Sequence, residues 1–374
     1  MVRQAPHPVH PGRQQTYDIK LLFAVLLLVG AGVVMVYSAS SALALKRYGS
    51  DTYFLKRQGV FAFLGVVCLV VCSHIPFRLY QALAYPILTI TLASLAATQI
   101  NGLGIVAGGS RRWLDVRFFS FQPSELARLA LVIFLAYSLN KKQDLVRRFS
   151  VGFVPHMLVL LLFTALLLLQ PDFGAVVILG VLTWMMLFVG GVPLRHLLIS
   201  LLPLLPVGWW LLMGAEYRVK RLLSFLDPWQ YPNGEGYQAV HSLMAFGSGG
   251  ILGAGIGRGY QKLFYLPESH TDFIFSVIGE ELGLLGITII LVLYGIILWR
   301  GMVIARQSQN NFGTLMAIGL TAAIGLQVCI NMGVALGLLP TKGLTLPFLS
   351  YGGTSLLLNM AAVGILMNIG AYHA

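Results

Sequence analysis

Long apolar runs set the strongest constraint on how this chain can fold. They lie at roughly 18–39, 58–75, 80–99, 122–139, 152–169, 173–190, 195–213, 272–299, 313–337 and 347–370. Each is close to the length of about 20 residues that crosses a bilayer as a helix. Because backbone groups in lipid must be satisfied within the segment, runs that do not alternate in polarity predict helices. We therefore predict an all-α polytopic membrane protein, a bundle of about ten transmembrane helices.

Composition supports a membrane protein and excludes several other classes. The chain is 57% hydrophobic and only 10% charged, whereas soluble domains carry about 25% charged residues. Cys68, Cys72 and Cys329 all lie in apolar runs, so neither a disulfide framework nor a zinc site is indicated. The glycine-rich run 253–259 lacks the ending and the β-α-β context of a nucleotide loop, so a flexible or tightly packed backbone segment fits better. No nucleic-acid partner is indicated.

The order of the runs predicts the topology. An even number of spans puts both termini on one side, and the lysines and arginines of the short loops favour the cytoplasm for that side. Residues 1–17 are then a cytoplasmic tail, residues 18–374 form one membrane domain, and about 214–271 is a long extracytoplasmic loop between helices seven and eight. The first run is longer than the apolar core of a signal peptide, about 7–15 residues, so we interpret it as an uncleaved helix.

The outer side keeps many cations despite this bias, among them Arg111, Arg112 and Lys342. One interpretation is that they meet an anion, either a phosphate or an anionic headgroup. The other is that they pair with nearby carboxylates such as Asp51 and Asp227. Charge alone does not separate the two.

Acidic residues are concentrated where the long loop enters the eighth run. Glu268, Asp272, Glu280 and Glu281, out of only 13 acidic residues, lie between Leu266 and Glu281. Ionisable groups at a membrane boundary are costly unless compensated, so such a cluster is a functional-site hypothesis.

Asp272 leads directly into the apolar helix. Desolvation there would raise its pKa, while the helix N-terminus and nearby cations would lower it. A carboxylate balanced in this way can act as a general base toward a sugar hydroxyl. Its alternative role is as the N-cap of the helix. Glu280 and Glu281 lie deeper and are expected to have structural partners.

Three further charged residues, an acid and two cations, lie in or beside the apolar runs. Glu125 and Arg128 are spaced i,i+3 in the fourth run and are expected to form a structural ion pair. Lys342 could be a lysine that snorkels to the interface. Because Pro340, Gly343 and Pro347 restrict its segment, a positioned phosphate contact is also credible.

Several motifs together resemble the SEDS family, the bacterial shape, elongation, division and sporulation proteins. The matching stretches occur in order along nearly the whole chain: Ser110–Trp113, Gln122–Leu126, Gln170–Gly174, Leu266–Phe275, Gly279–Gly283, Gly337–Pro347 and Ser350–Gly353. The form Pro-Thr-Lys-Gly-Leu-Thr-Leu-Pro at 340–347 resembles the division and sporulation branch more than the elongation branch, and we prefer division. Arg128 stands where relatives often carry lysine, which keeps the charge but changes its geometry.

The resemblance implies a peptidoglycan glycosyltransferase that uses lipid II at the outer face of the bacterial cytoplasmic membrane. It gives Asp272 the role of general base. Cations must stabilise the leaving undecaprenyl pyrophosphate, and the candidates are Lys342, Arg112 and Arg128. Glu268 and His270 are candidates for orienting the acceptor or Asp272, and Ser350 is a further candidate for substrate binding.

The resemblance also implies partners and leaves alternatives. A class B penicillin-binding protein, which is a transpeptidase, is the expected partner, together with other divisome membrane proteins. A divalent cation, Mg²⁺ or Mn²⁺, could share the pyrophosphate charge, although the sequence shows no dedicated metal site. Alternatives are a lipid II flippase, a scaffold, or a polymerase of the spore cortex or of elongation. Against the flippase, no discontinuous inverted-repeat pattern is evident.

Overall fold

The computed structural model describes residues 17–107, 110–115, 120–203, 206, 209, 213–214, 216–234, 236–263 and 265–372. The predicted tail at 1–17, apart from its last residue, lies outside the described residues. Part of the seventh predicted span also lies outside them.

Helices occupy all ten predicted spans. They are α1 (Ile19–Tyr48), α2 (Tyr53–His74), α3 (Phe77–Ala82), α4 (Ala84–Ala97), α5 (Pro123–Lys141), α6 (Val154–Leu169), α7 (Phe173–Val189), α8 (Leu194–Leu201), α9 (Glu216–Leu226), α10 (Tyr237–Gly249), α11 (Ile274–Gln307), α12 (Asn311–Ala335) and α13 (Gly353–Ala371). The third span is divided at Leu83 into α3 and α4, and a short π-helical segment, Phe149–Phe153, precedes α6.

Six of these segments are long and apolar enough to cross a membrane by length and composition. They are Ile19–Tyr48, Tyr53–His74, Phe149–Leu169, Ile274–Gln307, Asn311–Ala335 and Gly353–Ala371. In α13, 83% of the apolar window is buried, against 22% in α2. A helix that is apolar on all sides and buried belongs to the interior of a bundle. The last helix therefore lies at the centre, with α2 packed along it on the outside.

The two ends of the bundle are marked by polar contacts. Asp18 caps α1 by accepting from the Leu21 amide at 3.0 Å, and its other oxygen accepts from Arg300 Nε at 2.7 Å near the end of α11. Toward the opposite end of α1, the Ala39 carbonyl accepts from Ser269 Oγ at 3.2 Å. The segment that precedes α11 therefore lies at the end of the bundle remote from Asp18.

The connection between α4 and α5 contains a small antiparallel sheet, which the sequence analysis did not predict. Its strands are β1 (Gly104–Ala107), β2 (Ser110–Asp115) and β3 (Ser120–Phe121), in the order β1-β2-β3. Strands of four, six and two residues are too short to give a clear alternating pattern. The sheet carries Arg111 and Arg112 on its central strand.

The long connection predicted as a loop at about 214–271 is partly helical. It contains α9 and α10, and α10 packs against α11.

Helix α11 is interrupted at Gly283, whose backbone has φ 62° and ψ −161°. A longer glycine-rich segment, residues 247–262, contains the run 253–259 and satisfies the backbone groups on both sides of the break. The Ala254 amide donates to the Glu280 carbonyl at 2.9 Å, and the Leu284 amide donates to the Gly250 carbonyl at 3.0 Å. Glycine is required at 253 because φ there is +80° and a Cβ would lie 2.2 Å from the Glu281 carbonyl oxygen. The run 253–259 is thus a tightly packed segment, one of the two alternatives given for it.

Candidate functional site

A cavity of about 460 Å³ opens at the end of the bundle remote from Asp18. Four parts of the chain enclose it: the start of α2, the small sheet, the segment before α11, and the connection that runs from α12 into α13. Its lining residues are Arg57, Phe61, Ile105, Arg112, Trp113, Ser120, Gln122, Glu268, Thr271, Asp272, Gly343, Thr345, Tyr351, Gly352, Gly353 and Ser355.

Asp272, the predicted base, lines this cavity with a half-buried side chain. Helix α11 begins at Ile274, and its N-cap is Phe273, with no side-chain cap bond. The alternative role of Asp272 as a helix cap is therefore wrong. Burial and, second, the charge of Glu268 raise the pKa of Asp272 to about 7, while Arg112 lowers it. A carboxyl group with this pKa exchanges protons readily near neutral pH.

Three consecutive carbonyls fix the backbone at Asp272. The His270 carbonyl accepts from the Tyr351 amide at 2.9 Å, the Thr271 carbonyl from Ser350 Oγ at 2.5 Å, and the Asp272 carbonyl from Asn331 Nδ2 at 2.9 Å. The donors come from α12 and from the connection into α13. The position of the carboxylate is therefore set by elements other than the helix that it precedes.

Gly343 gives the carboxylate its space. A Cβ at this position would lie 3.0 Å from Asp272 Oδ2, tighter than ordinary contact. A larger residue would press directly on the carboxylate.

Arg112 lies on the cavity wall, on the central strand of the sheet. Its Nε donates to the Gln170 carbonyl at 3.1 Å, and one terminal nitrogen donates to the Pro171 carbonyl at 2.7 Å. Both acceptors are neutral, and a guanidinium has five N–H donors. The group therefore keeps its charge and further donors for an anion in the cavity.

Lys342 does not line the cavity. Its Cδ lies 3.4 Å from where a Cβ on Gly174 would stand, beside the Asp172 carboxylate that caps α7. Lys342 thus lies at the N-terminus of α7, next to the cavity wall formed by Gly343.

Arg128 is buried behind the cavity. It pairs with Glu125, as the i,i+3 spacing predicted, and also donates to Gln327 Oε1. The Gln327 amide donates in turn to the Thr345 carbonyl at 2.8 Å. Arg128 therefore supports the cavity wall through Gln327, and the structure does not bring its guanidinium into the cavity.

The other candidates divide between the cavity and the wall behind it. Glu268 is exposed, lines the cavity and accepts from Thr271 Oγ1 at 3.0 Å. His270 is buried, with its ring centroid 4.7 Å from that of Phe54, and burial lowers its pKa. Ser350 is buried and bonds to the Thr271 carbonyl and to the Leu346 amide. His270 and Ser350 therefore shape the site from behind.

Glu280 and Glu281 have the structural partners that were expected. Glu280 accepts from the amides of Tyr260 and Gln261, the shorter at 2.7 Å. Glu281 forms a buried ion pair with Lys262 at 2.5 Å and accepts from Ser38. These carboxylates anchor the glycine-rich segment to α11.

Sequence reasoning missed Asn331, Gln327 and Arg57. Asn331 and Gln327 are buried amides within an apolar span, and that isolation was a usable signal because a polar side chain there needs a partner. Arg57 lies at a membrane boundary, where a cation is common, and gave no comparable signal.

Carboxylate donors for a resident divalent cation are few. Among the residues described, no three His, Cys, Asp or Glu side chains lie together as a metal site would require. Glu268 and Asp272 are the two acids on the cavity wall. Mg²⁺ is commonly bound by one or two carboxylates together with substrate phosphates, and this pair fits only that arrangement.

The chain matches the sequence model of the cell cycle protein family of FtsW, RodA and SpoVE over residues 19–374. Probable peptidoglycan glycosyltransferase FtsW of Geobacter sulfurreducens is 46% identical over 355 residues, which cover 95% of each chain. Stage V sporulation protein E of Bacillus subtilis is 41% identical over 355 residues, covering 95% of this chain and 97% of that protein.

Solved structures share the fold. One, described as structural coordination of polymerization and crosslinking by a peptidoglycan synthase complex, matches with a TM-score of 0.81 at 32% identity, covering 96% of this chain and 98% of that chain. Rod shape determining protein RodA of Thermus thermophilus matches with a TM-score of 0.71 at 31% identity and the same coverage. The all-α polytopic fold predicted from the sequence is confirmed.

Proposed function

This chain belongs to the SEDS family of FtsW, RodA and SpoVE proteins, and we propose that it polymerises lipid II into glycan strands. It is a membrane-embedded peptidoglycan glycosyltransferase. The observation that carries the finer proposal is the half-buried carboxylate of Asp272 in a 460 Å³ cavity, with a pKa raised to about 7 and Arg112 beside it.

The proposed reaction uses Asp272 as the general base. The 4-hydroxyl of the acceptor GlcNAc attacks the anomeric carbon of the donor MurNAc and loses its proton to Asp272. The bond from that carbon to the pyrophosphate oxygen breaks, and undecaprenyl pyrophosphate leaves. Arg112, which has further N–H donors available, stabilises the negative charge that develops on the leaving pyrophosphate. Lys342 is a candidate for the same pyrophosphate only if its side chain turns from Asp172 toward the cavity.

A divalent cation is proposed only as a companion of the pyrophosphate. Mg²⁺ or Mn²⁺ would take most of its ligands from phosphate and water, with Glu268 or Asp272 as the protein donor. Polymerisation is then expected to fall on addition of EDTA and to recover with excess Mg²⁺ or Mn²⁺.

Topology and relatives support the cellular setting. The contact between Asp18 and Arg300 lies at the end of the bundle opposite the cavity. With cytoplasmic termini, the cavity faces outward in the bacterial cytoplasmic membrane. The higher identity to an FtsW than to a sporulation protein, 46% against 41%, favours septal synthesis. The match to a structure of a peptidoglycan synthase complex supports a class B penicillin-binding protein as partner, and other divisome membrane proteins stay a prediction from the sequence.

The flippase alternative gains nothing specific from the structure. Helix α11 is discontinuous at Gly283, as transporter helices often are. The freed backbone groups bond to the glycine-rich segment, however, and do not line the cavity. The intramembrane carboxylates Glu125 and Glu281 are each paired with a cation.

A reconstituted assay tests the proposal. The chain is purified with its penicillin-binding partner in detergent, lipid II is added, and glycan polymer is measured. Detergent removes the two compartments that a flippase needs, so polymer would exclude transport as the sole activity. Asp272→Asn should abolish polymer, whereas Asp227→Asn, outside the cavity, should retain it. A folded Asp272→Asn variant that polymerises like the parent would refute the base assignment.

A further inference from the structure

A second guanidinium, that of Arg57, reaches the cavity from the first turns of α2. Arg112 reaches it from the sheet, so the two cations belong to different walls. The mechanism above uses Arg112 and leaves Arg57 without a role.

Arg57 is held in place by aromatic residues. One terminal nitrogen donates to the Tyr53 hydroxyl at 3.1 Å, and the guanidinium carbon lies 5.5 Å from the centroid of that ring. Tyr53 is itself stacked on Tyr48, with centroids 3.9 Å apart. Tyr351, on the same side of the cavity, packs on Phe54 in the first turn of α2, with ring centroids 5.0 Å apart. An exposed arginine usually samples many rotamers, and these contacts restrict it to the cavity side.

The charge of Arg57 is not neutralised by a carboxylate within the part of the chain that the structure describes. The hydrogen bond that it donates goes to a neutral phenol, that of Tyr53. A guanidinium has five donors in a planar fork that matches phosphate oxygens. Arg57 is therefore a positioned cation with donors available to an anion in the cavity.

The proposed function, on which this inference rests, requires two pyrophosphates at different distances from the base. The donor's pyrophosphate is attached to the reacting carbon, next to the hydroxyl that Asp272 deprotonates. The acceptor's pyrophosphate lies at the far end of the acceptor disaccharide. A polymerase that holds both lipids needs one cation beside the base and another farther away.

The two arginines fit these two positions. Arg112 bonds to the Gln170 and Pro171 carbonyls before α7, next to the Lys342–Gly343 segment that faces the Asp272 carboxylate. Arg57 instead extends from α2 on another wall, where it bonds to Tyr53. We propose that Arg57 binds the pyrophosphate of the acceptor lipid II, while Arg112 serves the departing pyrophosphate of the donor.

The test compares two acceptors with one donor. The donor is a lipid II whose terminal 4-hydroxyl is blocked, so that it cannot act as acceptor. The acceptors are lipid II and the same disaccharide peptide as an alkyl glycoside without pyrophosphate. The partner-bound enzyme is assayed in detergent, and kcat and KM are measured for each acceptor.

Arg57→Met should raise KM for the lipid II acceptor and lower its kcat/KM by about 10- to 100-fold, the effect of losing a charge-assisted contact. The alkyl glycoside should be coupled by parent and variant at the same rate. Lys56→Met is the matched control, because Lys56 is exposed on the same turn and does not line the cavity. It should behave like the parent.

The outcomes separate the inference from the proposed function. No coupling by the parent with either acceptor would refute the function itself. If the parent couples the acceptors and Arg57→Met changes kcat/KM equally for both acceptors or for neither, the role of Arg57 alone is refuted. If Arg57→Met does not fold, Arg57→Gln, which also removes the charge, decides: a loss confined to the lipid II acceptor supports the role, and unchanged acceptor selectivity refutes it.

Discussion

The pH dependence of polymerisation is expected to follow the ionisation of Asp272. Burial and the charge of Glu268 raise its pKa to about 7, and the charge of Arg112 lowers it. Because a general base acts only in its ionised form, kcat/KM should rise with pH through neutrality.

The structure gives a size for this rise. With a pKa of about 7, the ionised fraction is about 0.1 at pH 6 and about 0.9 at pH 8, so kcat/KM should increase about tenfold between them. An aspartate at the ordinary pKa of 3.8 would be ionised throughout and would give a flat profile.

Two neighbouring charges test the assignment of Asp272 as the base, because removing each should move the midpoint of the pH profile in a different direction. Glu268→Gln removes a negative charge near Asp272, so the midpoint of the profile should move to lower pH. Arg112→Gln removes a positive charge, so the midpoint should move to higher pH. Arg112→Gln should also lower the plateau because it removes a pyrophosphate contact, but the midpoint is read independently of the plateau.

The assay is the initial rate of lipid II coupling by the partner-bound enzyme in detergent from about pH 5.5 to pH 9. Asp227→Asn, a carboxylate outside the cavity, is the control and should leave the midpoint unchanged. A flat parent profile between pH 6 and pH 8, or a shift of both variants in the same direction, would refute the reasoning.

Three further perturbations have defined outcomes. Asp272→Asn should stabilise the protein by an amount that grows from about pH 4 to pH 7 and is constant above pH 7. The reason is that folding raises the pKa of Asp272 from 3.8 to about 7, so the ionised carboxylate disfavours the folded state. Thermal unfolding measured against pH tests this. Lys262→Met should destabilise by about 3–5 kcal/mol in denaturant unfolding because it leaves Glu281 buried and unpaired, and adding Glu281→Gln should recover much of the loss. Asn331→Leu should lower kcat with little change in KM for lipid II, because its amide fixes the Asp272 carbonyl; an equal effect on both constants would contradict this.

The spans were predictable because a run of about 20 apolar residues has few alternatives in lipid. Asp272, Glu268 and Arg112 were also predicted from the sequence as site residues, and the structure brings them to one cavity. Local charge patterning drew attention to them because each lies at a membrane boundary, and the family resemblance supplied their expected roles.

Long-range contacts account for what was missed. Arg128 was considered for the substrate pyrophosphate, but its second partner, Gln327, is 199 residues away and places it behind the wall. The ring of His270 packs on Phe54, which belongs to α2 more than 200 residues earlier in the chain. The break at Gly283 is tolerated because backbone groups about 30 residues earlier complete its hydrogen bonds. No local pattern contains these pairings.

The three backbone hydrogen bonds at residues 270–272 have a kinetic consequence. Ordering the backbone of one residue costs about 1–2 kcal/mol in entropy, so three residues amount to about 3–6 kcal/mol. Ser350, Tyr351 and Asn331 impose that order when the chain folds. If the segment were instead ordered at each turnover, the barrier would rise by the same amount, a slowing of about 10²- to 10⁴-fold. On the proposed mechanism, these donors are therefore expected to raise the rate by holding Asp272 in position.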